Sequence, residues 1–420
     1  MNVSHPTTKD DQVRPAESAR ATSWRVLFVG ADPLWLGQIK GDIGFLHPDW
    51  LCLEVPEISA MEYMDWRLAS AVVIDGRSAG AREWLEQARK ERPSLNCLIR
   101  CDVSEKPVAE VWKGLGYPML ASHSDASTLV SSLRRNLRLM EWRADPAIQR
   151  LLPSLRKLPA TPRLFLQVTE ELRSSNGSLE VVAQLIRQDP VMSAKMLQLV
   201  NSVFFALHRE VSDTLDAATI LGTERLKSLI LLAGIFTQYH EAEGVCPSVE
   251  ALLAHSIQVG VYARAIAFTQ TRDAATAEAA FTAGVLHDMG KVILAGNLPG
   301  SYMEVRKLRV AKSLSDDAAE LEIFGATHAN VAACLLASWG LPLAILEAVA
   351  WHHEPERSSE KAFCLLAAVH AANAFAHEGE GAPAQLHQEF FERIGLAESC
   401  GRWRRRFGVD EALPSRISGP

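Results

Sequence analysis

Apolar and polar positions along this chain follow two different patterns. From Trp24 the run WRVLFVGADP is short, β-rich and apolar, and it stops at Gly-Ala-Asp-Pro, which predicts a buried strand turning into a helix. SAVVIDGRSAG repeats the pattern: residues 71–74 make an apolar strand ended by Asp75-Gly76, and LNCLIRC makes a third strand. Helical segments lie between them, such as residues 80–92 with Trp84, Leu85 and Ala88 on one face. This alternation predicts a parallel sheet covered on both faces. Such sheets bind ligands at the carboxyl ends of their strands, where Asp32 and Asp75 fall. A charged amphipathic helix over residues 129–143 closes the region, and Asp145-Pro146 marks its boundary.

From residue 148 onward the pattern is helical throughout. LEVVAQLIRQ carries Leu179, Val182, Leu185 and Ile186 as one stripe, and Asp189-Pro190 then supplies an N-cap and a first-turn proline. Thr223 is expected to cap a helix that buries Leu226, Leu229, Ile230 and Ala233. The expected architecture is therefore multidomain, α/β followed by all-α. A flexible tail covers residues 1–23, a parallel-sheet domain 24–143, a helical domain 148–356 and a helical extension 357–420. HEGEGAPAQ loosens the chain before the terminal RWRRRF, which is expected to be a solvated helix end.

A composition of 48% hydrophobic and 22% charged residues permits a large core, and a net charge of −7 argues against a protein that coats nucleic acid. No run approaches the roughly 20 apolar residues of a membrane span. The polar start lacks the apolar core of a secretory signal. Cys52, Cys97, Cys101, Cys246, Cys334, Cys364 and Cys400 show no paired spacing. A cytoplasmic location with no membrane partner is expected.

The strand–helix order and the position of Asp75 resemble the flavodoxin-like receiver domain of two-component response regulators, over residues 24–142. The resemblance implies Asp75 as phosphoacceptor candidate. It also exposes departures: the acidic pair after the first strand falls on Gly30-Ala31, Cys101 replaces the hydroxyl residue, and the stretch 119–123 holds no lysine. A degenerate domain that docks other proteins is the expected consequence.

LLPSLRKLPATP, DPVMSAKMLQLVNS and DAATILG resemble in series the opening of the HDOD domain, a relative of the HD phosphohydrolases usually assigned to bacterial signalling, over residues 151–356. Pro153, Pro159, Asp189-Pro190, Asn201-Ser202 and Leu221-Gly222 carry the likeness, and each has a structural meaning as a helix start or end. His255, His287-Asp288, His328 and His352-His353 then follow on successive helical segments, with His370 and Asn373 behind them. A bundle can aim such groups at one centre. Imidazoles with one carboxylate suit Fe, Mn, Ni or Zn, as one or two ions. A helix through HDMGK would set Lys291 one turn beyond His287, placed to neutralise a phosphate.

This order resembles the HD site, including its HD-GYP branch that cleaves cyclic dinucleotides. Two departures weaken the likeness: the closing aspartate is Asn373, and EPERSS replaces a Gly-Tyr-Pro loop. The favoured expectation is a non-enzymatic signal-transduction regulator acting on protein partners, with a metal or nucleotide site. The alternative is a metal-dependent phosphohydrolase acting on a nucleotide or cyclic dinucleotide, with the six residues as ligands and Lys291 on the phosphate. Oligomeric state is left open.

Overall fold

The three apolar runs are strands, and two more join them: β1 (Arg25–Val29), β2 (Leu51–Val55), β3 (Ala71–Asp75), β4 (Asn96–Cys101) and β5 (Met119–Ala121). All pair in parallel in the order β2-β1-β3-β4-β5. This computed structural model describes residues 24–92, 95–101, 111–112, 117–174, 177–205, 210–239, 249–358, 360–379 and 385–407. The tail expected over residues 1–23, Cys246 and part of HEGEGAPAQ lie outside them. The chain divides into two units between Leu133 and Arg134.

In the α/β unit, period-two alternation sends successive side chains to opposite layers. Val26, Phe28, Val73 and Leu98 pack on α1 (Pro33–Leu46) and on the first turns of a later helix, through Leu129 and Leu133. Leu27, Val29, Ile74 and Ile99 pack on α2 (Ala81–Glu91) and on 3-10 turns carrying Ile58, Met61 and Trp66. Every position of β3 is buried, as a doubly covered strand requires. Asp32 is a helix cap: its Oδ1 accepts from Trp35 N at 2.9 Å at the start of α1.

The later helix is α3 (Ala126–Ala144), and beyond it the described residues are helical. α4 (Pro146–Leu151), α5 (Arg163–Arg173), α6 (Leu179–Arg187), α7 (Pro190–Val200), α8 (Thr214–Leu221) and α9 (Thr223–Gln238) precede the long α10 (Val249–Thr271). Then come α11 (Ala274–Leu286), α12 (Met289–Asn297), α13 (Pro299–Lys312), α14 (Asp316–Phe324), α15 (His328–Ser338), α16 (Leu343–Ala350), α17 (Leu365–Gly379), α18 (Gln388–Arg393) and α19 (Ala397–Arg406).

Asp189 caps α7 as expected, accepting from Met192 N at 2.9 Å. Asn201 reaches beyond its own helix end, pairing both ways with the Val211 backbone at 2.7 and 2.8 Å. One cap differs from expectation. Thr223 is the first residue of α9, and the cap is Gly222 at φ +76°, a backbone state that disfavours a side chain. α10 is long and apolar enough to cross a membrane by length and composition, which the sequence pattern did not single out; 56% of its most apolar window is buried.

α10 and α11 cross at very short range. A Cβ on Gly284 would lie 2.7 Å from the Gly260 Cα and 2.9 Å from its nitrogen, so the two backbones touch there. This contact sets the depth of the carboxyl end of α11, where His287 lies. Because backbone cannot rotate aside, Gly284→Ala is expected to lower stability by about 1–3 kcal/mol. Denaturant titration should show a lower midpoint with an unchanged slope.

Candidate metal centre

The helical unit brings all six expected ligands together. Their ligand atoms form two groups that share one carboxylate: Asp288, His328, His352 and His353 in one, His255, His287 and Asp288 in the other. Within each group the atoms lie within 4.8 Å of one another. Two local expectations change. Asp288 leaves helical geometry (φ −101°, ψ 5°), so α11 and α12 are separate and Lys291 does not continue the helix of His287. His352 and His353 stand just past the end of α16 rather than inside it.

Helix ends orient the rings. The last carbonyls of a helix have no partner within it. His287 Nδ1 lies 2.7 Å from Gly284 O and His352 Nδ1 2.8 Å from Val349 O, each imidazole bonding back across its own helix end. A carbonyl only accepts, so in both rings Nδ1 carries the proton and Nε2 keeps a free lone pair. His328 sits at the start of α15, where Glu320 Oε2 on α14 accepts from both its backbone N and its Nδ1 at 2.7 Å. Glu320 thus takes the first amide of α15, which Thr327 caps, and orients an imidazole at once.

The Nε2 atoms of His287, His328, His352 and His353, with Asp288 Oδ1, are buried and lack hydrogen-bond partners among the described residues. Distances to Asp288 are 3.4 Å from His287 Nε2, 3.0 Å from His328 Nε2 and 3.7 Å from His352 Nε2, without hydrogen-bond alignment. Each such orphan costs about 1–3 kcal/mol. Convergent lone pairs of borderline nitrogen with one hard oxygen are the donor set of a divalent transition metal, so the residues fit such an ion.

Burial is the largest influence throughout. It holds His287, His352 and His353 well below the ordinary imidazole range, hence neutral and able to donate a lone pair. For Asp288 burial acts upward, but Lys291 and His328 outweigh it and keep the carboxyl well below its usual range. His328 is pulled down by burial, yet the Glu320 carboxylate raises it to about 9 in the metal-free protein. Lys291 is raised despite burial, by Asp288 and Asp316.

Lys291 Nζ lies 2.8 Å from Asp288 Oδ2 and 3.3 Å from Asp316 Oδ2. Asn373 Oδ1 lies 3.0 Å from His255 Nε2. His370 is a backbone clamp: its Nδ1 lies 2.7 Å from His352 O, and its Nε2 accepts from His387 N at 3.0 Å. A cleft of about 570 Å³ reaches His352 and His353 between Lys291, Arg309, Asp316 and Asn373. Sequence patterns missed Glu320 and Asp316, which stand among other acidic residues on the helix preceding His328.

In the α/β unit, Asp75 is 4% exposed. Its Oδ2 accepts from Arg100 Nη1 at 2.7 Å and its Oδ1 from Arg77 Nε at 3.1 Å. Arg100 is itself buried, donates to Ser122 O at 2.9 Å and lies over the Trp35 ring.

Residues 158–355 match the family model of the HDOD domain, a span that includes all six ligand candidates and Lys291 and ends before Asn373. An uncharacterized protein of Treponema pallidum (strain Nichols) is 22% identical over 216 residues, which are 51% of this chain and only 41% of that relative. An HDOD domain protein of unknown function from Geobacter sulfurreducens is 26% identical in a crystal structure that covers 63% of this chain and 91% of its own, with a TM-score of 0.47. A protein of Shewanella amazonensis SB2B, provisionally named a phosphohydrolase, is 20% identical, covering 63% and 96%, with a TM-score of 0.48.

The raised pKa of His328 has a defined sign. Its protonation stabilises the metal-free fold fully below the unfolded value of about 6.5, and that stabilisation is lost as pH rises through about 9. Glu320→Gln should bring the His328 titration, followed by NMR, down toward or below the unperturbed value. It should also flatten the loss of stability over that window.

Proposed function

We propose that this chain, whose residues 158–355 form an HDOD domain, is a cytoplasmic signalling regulator. In it a divalent metal centre in the helical unit receives a phosphate-bearing ligand, and output passes to other proteins by contact rather than by turnover. The carrying observation is the convergence of four imidazole Nε2 atoms and Asp288 Oδ1, all buried and without hydrogen-bond partners among the described residues. Asp288, His328, His352 and His353, with His255 and His287 beside them, would hold the ion. When bound, it supplies Lewis acidity toward an oxygen ligand.

The remaining residues shape what can enter. A cleft of about 570 Å³ falls in the range of small-ligand sites, about 300–1,000 Å³. Arg309, whose side chain is 51% exposed, offers a guanidinium at its wall. Lys291 adds positive charge deeper in, tied to two carboxylates. Binding is favoured over turnover because Asn373 leaves the His255–His287 side without a second carboxylate. Hydrolysis of a nucleotide or cyclic dinucleotide is the second reading, supported by a cleft that opens directly onto His352 and His353.

The regulatory proposal extends to the α/β unit as a pseudo-receiver. Both oxygens of Asp75 are engaged by arginines, so a phosphoryl group would have to break a buried ion pair before bonding to the carboxylate.

Two measurements decide these points. Purified protein should carry a transition metal yet hydrolyse no member of a nucleotide and cyclic-dinucleotide panel; turnover abolished by a His287→Ala/Asp288→Ala double variant would replace the regulator with the enzyme. Incubation with a small phosphoryl donor should leave Asp75 unlabelled, and stable label lost in Asp75→Asn would restore a working receiver.

A further inference from the structure

We infer that the two ligand groups are unequal: the Asp288–His328–His352–His353 group takes a single divalent ion, and the ammonium of Lys291 stands where a second ion would be needed. The inference rests on the metal reading of this site and deepens it.

The two oxygens of Asp288 are used differently. Oδ1 faces His328 at 3.0 Å and His352 at 3.7 Å and has no hydrogen-bond partner among the described residues. Oδ2 faces His287 at 3.4 Å but already accepts from Lys291 Nζ at 2.8 Å. That ammonium is also held by Asp316 Oδ2 at 3.3 Å, and the Lys291 side chain is 6% exposed. Two carboxylates therefore keep a buried cation on the lone pair a second metal would take.

One further member of the second group is engaged, whereas His287 Nε2 has no hydrogen-bond partner among the described residues. His255 Nε2 lies 3.0 Å from Asn373 Oδ1. An amide oxygen only accepts, so this nitrogen carries the proton and only Nδ1 could serve as a ligand. With Asn373 neutral, Asp288 is the one carboxylate within the two groups, and its Oδ2 already faces a buried ammonium. The first group, by contrast, has three imidazoles and a carboxylate oxygen. His328 and His352 are held there through Nδ1, by Glu320 and the Val349 carbonyl. Four donors of this kind suit Zn²⁺, Mn²⁺ or Fe²⁺.

The test is metal stoichiometry on the full chain, stripped with chelator and reloaded with Zn²⁺ or Mn²⁺, by elemental analysis and calorimetry. One ion per chain is expected, with a mononuclear, uncoupled Mn²⁺ resonance signal. His353→Ala should weaken it at least about tenfold, whereas His255→Ala should keep it. The combined Asn373→Asp/Lys291→Met variant, which frees Asp288 Oδ2 and adds a carboxylate, should take up a second ion. Two ions of comparable affinity in the unaltered chain would overturn the inequality and leave the metal reading standing. No ion at all would overturn both.

Discussion

A carboxylate with almost no exposure, Asp288, is the constraint around which the helical unit is arranged. Isolated in an apolar interior, such a charge would be neutralised by a proton rather than tolerated. Here it belongs to a row of alternating charges that leads outward: Glu320 to His328 at 2.7 Å, His328 to Asp288 at 3.0 Å, Asp288 to Lys291 at 2.8 Å, Lys291 to Asp316 at 3.3 Å and Asp316 to Arg309 at 2.6 Å. Opposite charges alternate along it, and the row ends on a half-exposed arginine where water takes over. The unit holds a charge at its centre without leaving a net charge there.

Helix ends place the imidazoles around that carboxylate. His287 and His352 use the unpaired carbonyls of α11 and α16, and His328 uses the unpaired amides of α15 through Glu320. One set of hydrogen bonds finishes each helix and orients each ring. The close contact of Gly260 with Gly284 sets how far the end of α11 reaches into the centre. Binding geometry and helix packing are thus the same problem solved once. The α/β unit treats its own buried carboxylate more simply, with Arg100 across from Asp75 and Trp35 beneath the guanidinium.

Much of this was legible in the chain. Apolar runs ending in Gly and Asp marked three strands of the parallel sheet, because doubly covered strands have no polar face to hide them. Asp189-Pro190 marked a helix start through local backbone chemistry, whereas Pro159 lies in the stretch before α5 and starts none. The six ligand candidates stood out because imidazoles in apolar helical stretches need a reason to be there. Glu320 and Asp316 did not stand out: an acidic residue on a surface-like helix reads the same whether it meets water or a buried histidine. Thr223 was misplaced by one residue, since a neighbouring glycine at positive φ could take the cap.

By itself, then, the order of residues determined the two fold classes, the points where many elements begin and the identity of the groups that could meet. Those properties depend on near neighbours along the chain, within one turn or one pleat. Only the tertiary structure decided which oxygen of Asp288 is free, that Lys291 is tied to Asp316, and that Asn373 holds His255. Each of those depends on distances between helices far apart in sequence, where a shift of one ångström separates a hydrogen bond from an open coordination site.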